Sequence, residues 1–363
     1  MRILQISSSR TYGGGERHFV DLCRGLQGLG HEVFAALRPT NMWQERLEFL
    51  PPGRILHVSI RNSFGILSAS RMAGFARDRE IDILHAHVAR DYIPASIAAS
   101  LSGRAKFVLT RHVMFPLKPF NRFALKNLSK AIAVSSGVES SLLRLFPRHK
   151  VAVIVNGIDS KFAGGSDRSP ARARFRSDHG IPGDVPLIGT VGELIQLKGQ
   201  RDFVLAANEI AGQVPLARFV VVGQDNSIDK GFRRELKRLV KVFGLEDRFL
   251  WLDWVDDMQS LLSALDIFVS ASYSESFGMA ILEAMACGTP VVATDTDGAR
   301  ELLPDSNFRV PVGDPVKLAE TVVLLLSDRV LAQELAERSA AAASDRFSLD
   351  RMIRETAELY LSL

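Results

Sequence analysis

Twice along its length the chain alternates short β-branched runs with segments of helical length, and few architectures can accommodate that pattern. Residues 2–6, 32–37, 55–58, 81–85, 106–110, 131–134 and 151–155 read as strands. Helical stretches at 16–29, 66–79, 92–101 and 120–128 lie between several of them. Strands parted by helices need crossover connections, and those build a parallel sheet. Residues 163–186 interrupt the rhythm with Gly, Pro and charge, leaving room for a short helix at 171–178. Strands then resume at 187–191, 218–222, 248–252, 267–270 and 290–293. Helices at 200–210, 230–243, 258–264 and 277–286 accompany them, and the tail from Pro315 reads as wholly helical. The pattern predicts an α/β protein of two Rossmann-like, doubly wound domains facing across a cleft. Their expected bounds are 1–165 and 187–345, with 166–186 as linker and 346–363 as a terminal helix able to pack back on the first domain. Ligands of such sheets bind beyond the C-terminal strand ends.

A chain of 363 residues has length enough for two such cores. Its two cysteines, Cys23 and Cys287, form no Cys-x-x-Cys pair. That speaks against a disulfide framework or a zinc ribbon and suits the reducing cytoplasm. Residues 1–7 read as a first strand rather than a signal peptide, and no stretch approaches the ~20 apolar residues of a membrane span. Charge is unevenly divided. Residues 1–161 carry 23 Lys+Arg against 11 Asp+Glu, whereas the remainder carries 22 against 30. The basic half is expected to face something anionic. No nucleic-acid motif accompanies the charge, so a lipid-linked acceptor or the inner face of the plasma membrane is the expected partner.

The segment from Glu275 to Pro290 carries the most chemistry. It follows a strand, offers Ser276 as a natural N-cap, runs through good helix formers and stops at Gly288. A helix so placed presents free N–H groups and a partial positive charge at its start, which suits a diphosphate. Within it Glu283 stands among Ala280, Ile281, Leu282, Ala284, Met285 and Ala286. A carboxylate there needs a dedicated partner, either ribose hydroxyls or an internal Arg.

Glu275, seven residues, Glu283, then Ala-Met-Ala-x-Gly-x-Pro-Val-Val resembles the signature of family 4 glycosyltransferases, which have the GT-B fold. Further markers follow in order: Gly13-Gly14-Gly15-Glu16, Asp82 to His87, Thr110-Arg111-His112, Val134-Ser135-Ser136, Asn156 to Asp159, Val191-Gly192, Lys198-Gly199, and Gly298 with Glu301. The resemblance spans residues 1–330. It implies a retaining transfer of sugar from a UDP- or GDP-sugar to a glycan or lipid-linked acceptor, in cell-surface polysaccharide or glycolipid synthesis, with no cofactor and no metal. It also implies roles. Glu283 would hold the ribose, and Glu275 with the backbone of Phe277, Gly278 and Met279 would hold the sugar. Lys198 would neutralise the departing diphosphate. Gly14 and Gly15 would allow its close approach, and His112 would sit near the reacting carbon. Gly192, Glu193, Gly223 and Val255 complete the expected donor site. No separate base is nominated, because the departing phosphate oxygen would help to take the acceptor proton.

Two positions depart from the family pattern. Glu193 stands where an Arg is usual, so either it turns away or Arg17, Arg111 or Arg300 substitutes. Asp253 replaces a Gly and implies a local loop change. A nucleotide-sugar-binding subunit without strong catalysis is the alternative function; a sugar epimerase or a phosphorolytic enzyme on the same fold is a smaller one.

Other signals weigh less. His85 and His87, two apart in a strand, would share a face, so a metal site with His112 is geometrically possible, but no Cys, Asp or Glu joins them at ligand spacing. Asp295-Thr296-Asp297 imitates a metal motif but reads as a turn with a capping Asp. The glycines at 13–15 do not follow the dinucleotide spacing, and no acid ends the second strand, so a nicotinamide enzyme is not expected. Lys118, Arg122, Lys126 and Lys130 recur every four residues beside Phe115, Phe120 and Phe123, which predicts one cationic helical face for acceptor or membrane docking.

Overall fold

The computed structural model describes residues 1–60, 65–162, 168–303 and 306–363. The expected domain boundary at 165/166 and the first residues of the expected linker lie outside these. The chain divides into two compact units, Met1–Gly157 with Leu349–Leu363, and Ile158–Ser348.

In the first unit the order is β1 (Arg2–Ser7), α1 (Gly14–Gly28), β2 (Glu32–Leu37), β3 (Ile55–His57), α2 (Ile66–Asp78) and β4 (Ile83–Ala86). It continues with α3 (Tyr92–Ser102), β5 (Lys106–Arg111), α4 (Asn121–Ala124), β6 (Leu128–Ala133), α5 (Ser136–Leu143) and β7 (Val151–Val153). All seven strands are parallel in the order β3-β2-β1-β4-β5-β6-β7. The order reverses between β1 and β4, where Gln5 stands opposite His85. Phe19, Leu22, Cys23 and Leu26 form the apolar stripe of α1 and bury it on Ile3, Val33, Ile83 and Val108 of the sheet.

The second unit repeats the scheme with α6 (Ser169–Asp178), β8 (Leu187–Val191), α7 (Gln200–Gln213), β9 (Arg218–Val222), α8 (Gly231–Val242), β10 (Phe249–Leu252) and α9 (Met258–Ala264). Then come β11 (Ile267–Ser270), α10 (Met279–Ala286), β12 (Val291–Thr294), α11 (Asp297–Leu302), β13 (Arg309–Val310), α12 (Pro315–Ser327) and α13 (Arg329–Arg346). Its six parallel strands run β10-β9-β8-β11-β12-β13, so the reversal falls between β8 and β11. The last helix, α14 (Leu349–Leu361), belongs to the first unit. Met352, Ile353, Ala357 and Tyr360 enter that core. At Gly25 the approach is so close that a Cβ would stand 2.1 Å from Ile353 Cδ1.

Residues 168–186 are not a loose linker. Helix α6 docks on the second unit through arginines one turn apart. Arg172 and Arg176 grip Asp266 at 2.7 and 2.8 Å, and Arg176 also donates to the Ala264 carbonyl at the end of α9. Arg168 donates to the Ser263 and Leu265 carbonyls and to Thr289 Oγ1. Helix C-terminal carbonyls are natural partners for cations, and Arg meets several at once. Among the described residues no helix is long and apolar enough to cross a membrane.

Candidate functional site

In the second unit the chemistry gathers at the C-terminal ends of β8 and β11. Gly192 and Gly223 extend the ladder past β8 and β9, donating to Val222 O and Leu252 O at 2.9 Å. Beyond them a short turn, Gln196–Lys198, ends in Gly199 at φ +67°. A Cβ on Gly199 would fall 1.8 Å from the Ala271 carbonyl oxygen, so only glycine lets this turn lie against the end of β11. Tyr273 N–H fastens it to Leu197 O at 2.8 Å. That packing brings Lys198 Nζ within 2.7 Å of Glu275 Oε2, with Ser272 Oγ at 3.4 Å from the same oxygen.

Helix α10 begins later than expected. Its N-cap is Gly278, at φ +96°, and not Ser276. A side chain at 278 would be strained in that conformation and would stand 3.0 Å from Ile281 Cδ1 and 3.3 Å from Glu275 Cγ. The N-cap residue, a glycine, has no side chain with which to cap the helix, whose positive end begins a few residues after Glu275. Phe277 is buried edge-on to Phe347 at 5.8 Å, which leaves only its backbone to meet a ligand. Met279 is the first helical residue, and Glu283, four positions on, is 7% exposed. Val255 lies half-buried in the loop between β10 and α9.

Glu193 turns aside: its Oε1 accepts from Asn226 Nδ2 at 2.9 Å. None of the three candidate substitutes stands unengaged. Arg300 grips Asp295 at 2.8 and 3.0 Å, Arg17 pairs with Asp21 at 3.6 Å, and Arg111 donates to Phe115 O. Asp253 pairs with Arg233. Thr296, rather than an Asp, caps α11, and Asp295 is spent on Arg300 and Arg309. Sequence reasoning missed Gln200, whose buried amide holds the Glu193 carbonyl at 2.9 Å and so sets the loop after β8.

The first unit places its own cluster at the corresponding strand ends. Gly13 caps α1, Gly14 and Gly15 open it, and the His112 ring lies over Gly15, 3.8 Å from where a Cβ would stand. His87, just past β4, puts Nδ1 3.3 Å from His112 Nε2. Behind it runs a relay. His87 Nε2–H donates to Gln5 Oε1 at 2.7 Å, Gln5 Nε2 donates to Tyr360 Oη at 3.2 Å, and His85 bridges the Tyr360 hydroxyl, at Nδ1, and Thr110 Oγ1, at Nε2 and 2.7 Å. His18 of α1, which sequence reasoning passed over, completes the group. Burial holds the imidazoles neutral: His18 is pushed down to about 4, and His85, His87 and His112 well below the ordinary value. Nearby, fully buried Asp91 accepts from Ser8 N–H at 2.7 Å, and desolvation raises its carboxyl to about 6.

The cationic stripe does not form one helical face. Pro119 keeps Lys118 out of the helix, and α4 covers only Asn121–Ala124 before β6 starts at Leu128, so Lys118 precedes the helix, Lys126 follows it and Lys130 lies in β6. Lys118, Arg122, Phe123 and Lys126 are nonetheless exposed, Phe123 at 78%, as are Phe115 and Phe120.

Two parallel sheets with this shared strand order define a two-domain Rossmann-like protein of the GT-B class. Residues 185–328 match the model for glycosyl transferases group 1, and residues 12–162 match that for glycosyltransferase family 4. The chain belongs to this family of glycosyltransferases. It is 27% identical to the N-acetyl-alpha-D-glucosaminyl L-malate synthase of Bacillus anthracis, over 96% of this chain and 94% of the relative. It is 26% identical to the lipopolysaccharide core biosynthesis glycosyltransferase LpsE of Rhizobium meliloti, over 97% and 95%. Among solved structures, Anabaena Alr3699/HepE in complex with UDP and glucose has the same fold, with a TM-score of 0.88, 24% identity and full coverage of both chains.

Proposed function

We propose that this glycosyltransferase retains anomeric configuration and takes its sugar from a UDP- or GDP-sugar. The acceptor proposed is a glycan or lipid-linked sugar of cell-surface polysaccharide or glycolipid synthesis, met at the cytoplasmic face of the membrane. The observation carrying this reading is the Lys198–Glu275 contact just ahead of the glycine that starts α10. A compact cation and a helix N-terminus suit a diphosphate, and a carboxylate one residue group away suits sugar hydroxyls. Lys198 leaves Glu275 for the departing diphosphate and stabilises the charge that grows on it. Glu275 and the backbone of Phe277, Gly278 and Met279 position the sugar, and buried Glu283 takes the ribose hydroxyls. Gly14, Gly15 and His112 serve the acceptor-binding domain. The leaving phosphate oxygen takes the acceptor proton. A relative named as a lipopolysaccharide core biosynthesis glycosyltransferase and a structural neighbour in complex with UDP and glucose support the donor and the context.

A second reading, a nucleotide-sugar binder with little catalysis, is favoured by Glu193 in place of the family's usual Arg. Nucleotide release from UDP-, GDP- and ADP-sugars, with the product anomer read by NMR, separates the two. Turnover with retention is expected, falling about 10²–10³-fold in Lys198→Ala. Binding without release supports the binder, and an inverted product ends the retaining proposal.

A further inference from the structure

Buried imidazoles ordinarily spend their nitrogens on hydrogen bonds. His18 does not. It is 5% exposed, and among the described residues neither ring nitrogen has a partner in good hydrogen-bond geometry, though the Asn156 side chain is near enough to interact. Asn156, the polar group that biases it toward charge, has its own Oδ1 unpartnered as well. Two further histidines face it. The centres of the His18, His87 and His112 rings form a triangle with sides of 4.8, 5.6 and 5.6 Å. One nitrogen from each lies within 4.8 Å of the other two, and the His87–His112 pair is already at 3.3 Å. An ion with bonds of about 2.0–2.1 Å at tetrahedral angles sets its ligand nitrogens about 3.3 Å apart and the ring centres about 5 Å apart.

The surroundings are those of a ligand set. With Nε2–H committed to Gln5, His87 must present a bare Nδ1 lone pair to the group, and Gln5 is in turn fixed by Tyr360. Ligating imidazoles are characteristically held this way, by a polar group on the far nitrogen. Phe19 walls the site edge-on to His87 at 5.1 Å. Arg111, the nearby cation, is turned to Phe115 O.

We propose that His18, His87 and His112 form a three-histidine site for a divalent transition-metal ion, zinc above all, with its fourth position open to water or an anionic oxygen. Without the ion, the His112 Nε2–H donates to His87 Nδ1. With it, the His112 proton shifts from Nε2 to Nδ1 and all three rings stay neutral, so the tautomer changes but no proton is gained or lost. Occupancy takes His112 Nε2 out of any other role, which makes the ion a regulator or a structural clamp of the first unit. Nothing in this depends on the transferase reading.

Cobalt(II) titration of the full chain tests it. One equivalent should bind with the intense visible bands of a four-coordinate ion, zinc should displace it, and His18→Ala should abolish the bands. His149→Ala, at an exposed position, should leave them intact. Should His18→Ala fail to fold by circular dichroism, His18→Gln and His87→Gln are titrated instead. A weak octahedral spectrum in the wild type, or bands that survive loss of His18, overturns the site.

Discussion

The two units share a strand order and place their polar residues where that order reverses, yet they treat charge in opposite ways. In the second unit three prominent acids have cations. Glu275 meets Lys198, Asp266 meets Arg172 and Arg176, and Asp295 meets Arg300 and Arg309. In the first unit Asp91 is fully buried with one oxygen unpartnered, and four imidazoles beside the strand ends are held neutral. Topology thus fixes where a site forms, and the side chains decide what it can bind. Paired charges can be re-paired with an incoming diphosphate. A neutral imidazole cluster offers lone pairs instead.

The largest expected effect breaks the comparison on the paired side. Arg176 is 3% exposed and holds Asp266 together with the Ala264 and Val185 carbonyls. Arg176→Ala leaves Asp266 with Arg172 alone and takes the donor from several carbonyls, at a cost of about 1–3 kcal/mol for each buried carbonyl left unsatisfied. Calorimetry should show the second unit's transition falling while the first unit's stays. A change below about 1 kcal/mol would mean that α6 is a linker after all.

The unpaired side answers to pH. The folded pKa of Asp91, about 6, lies above its ordinary 3.8. The folded state therefore prefers the protonated acid. That preference favours folding below pH 4 and is lost as pH rises through about 6. A shift of about two units corresponds to about 3 kcal/mol. Relative to Asp91→Asn, the wild-type first unit should gain about that much as pH falls from 7.5 to 4. Taking the difference between the two proteins removes the histidine contribution. A flat difference across that range would show that Asp91 is ionised and solvated.

Much of this was legible in the sequence, because strand–helix alternation is a local signal and parallel sheets leave few topologies. The Lys198 and Glu275 motifs fell where β8 and β11 end for the same reason. What stayed hidden was decided by backbone detail or by long-range contact. The start of α10 moved from Ser276 to Gly278 because the chain turns through φ +96° there, which residue type alone allows but does not require. The four-residue cation spacing suits a helix, yet Pro119 and the pairing of β6 with its neighbours override it. His18 sits one residue before Phe19 on an ordinary apolar stripe, so nothing local marks it. Only the return of α14, carrying Tyr360 to Gln5 and His85, assembles the relay behind His87.

The smallest effects concern the excess positive charge of the first unit, and whether it is concentrated or merely spread. Lys118, Arg122 and Lys126 flank exposed Phe115, Phe120 and Phe123 within one short segment. Although α4 is too short to form an amphipathic face, cations near an anionic surface contribute about 1 kcal/mol each, whatever backbone carries them. We expect each single substitution by Ala to weaken co-sedimentation with phosphatidylserine-containing vesicles about fivefold, and Arg71→Ala, on α2, to leave it unchanged. An equal loss at Arg71 would make the charge a diffuse property of the unit. No sedimentation of the wild type would remove the docking proposal, leaving the basic segment to a soluble anionic acceptor.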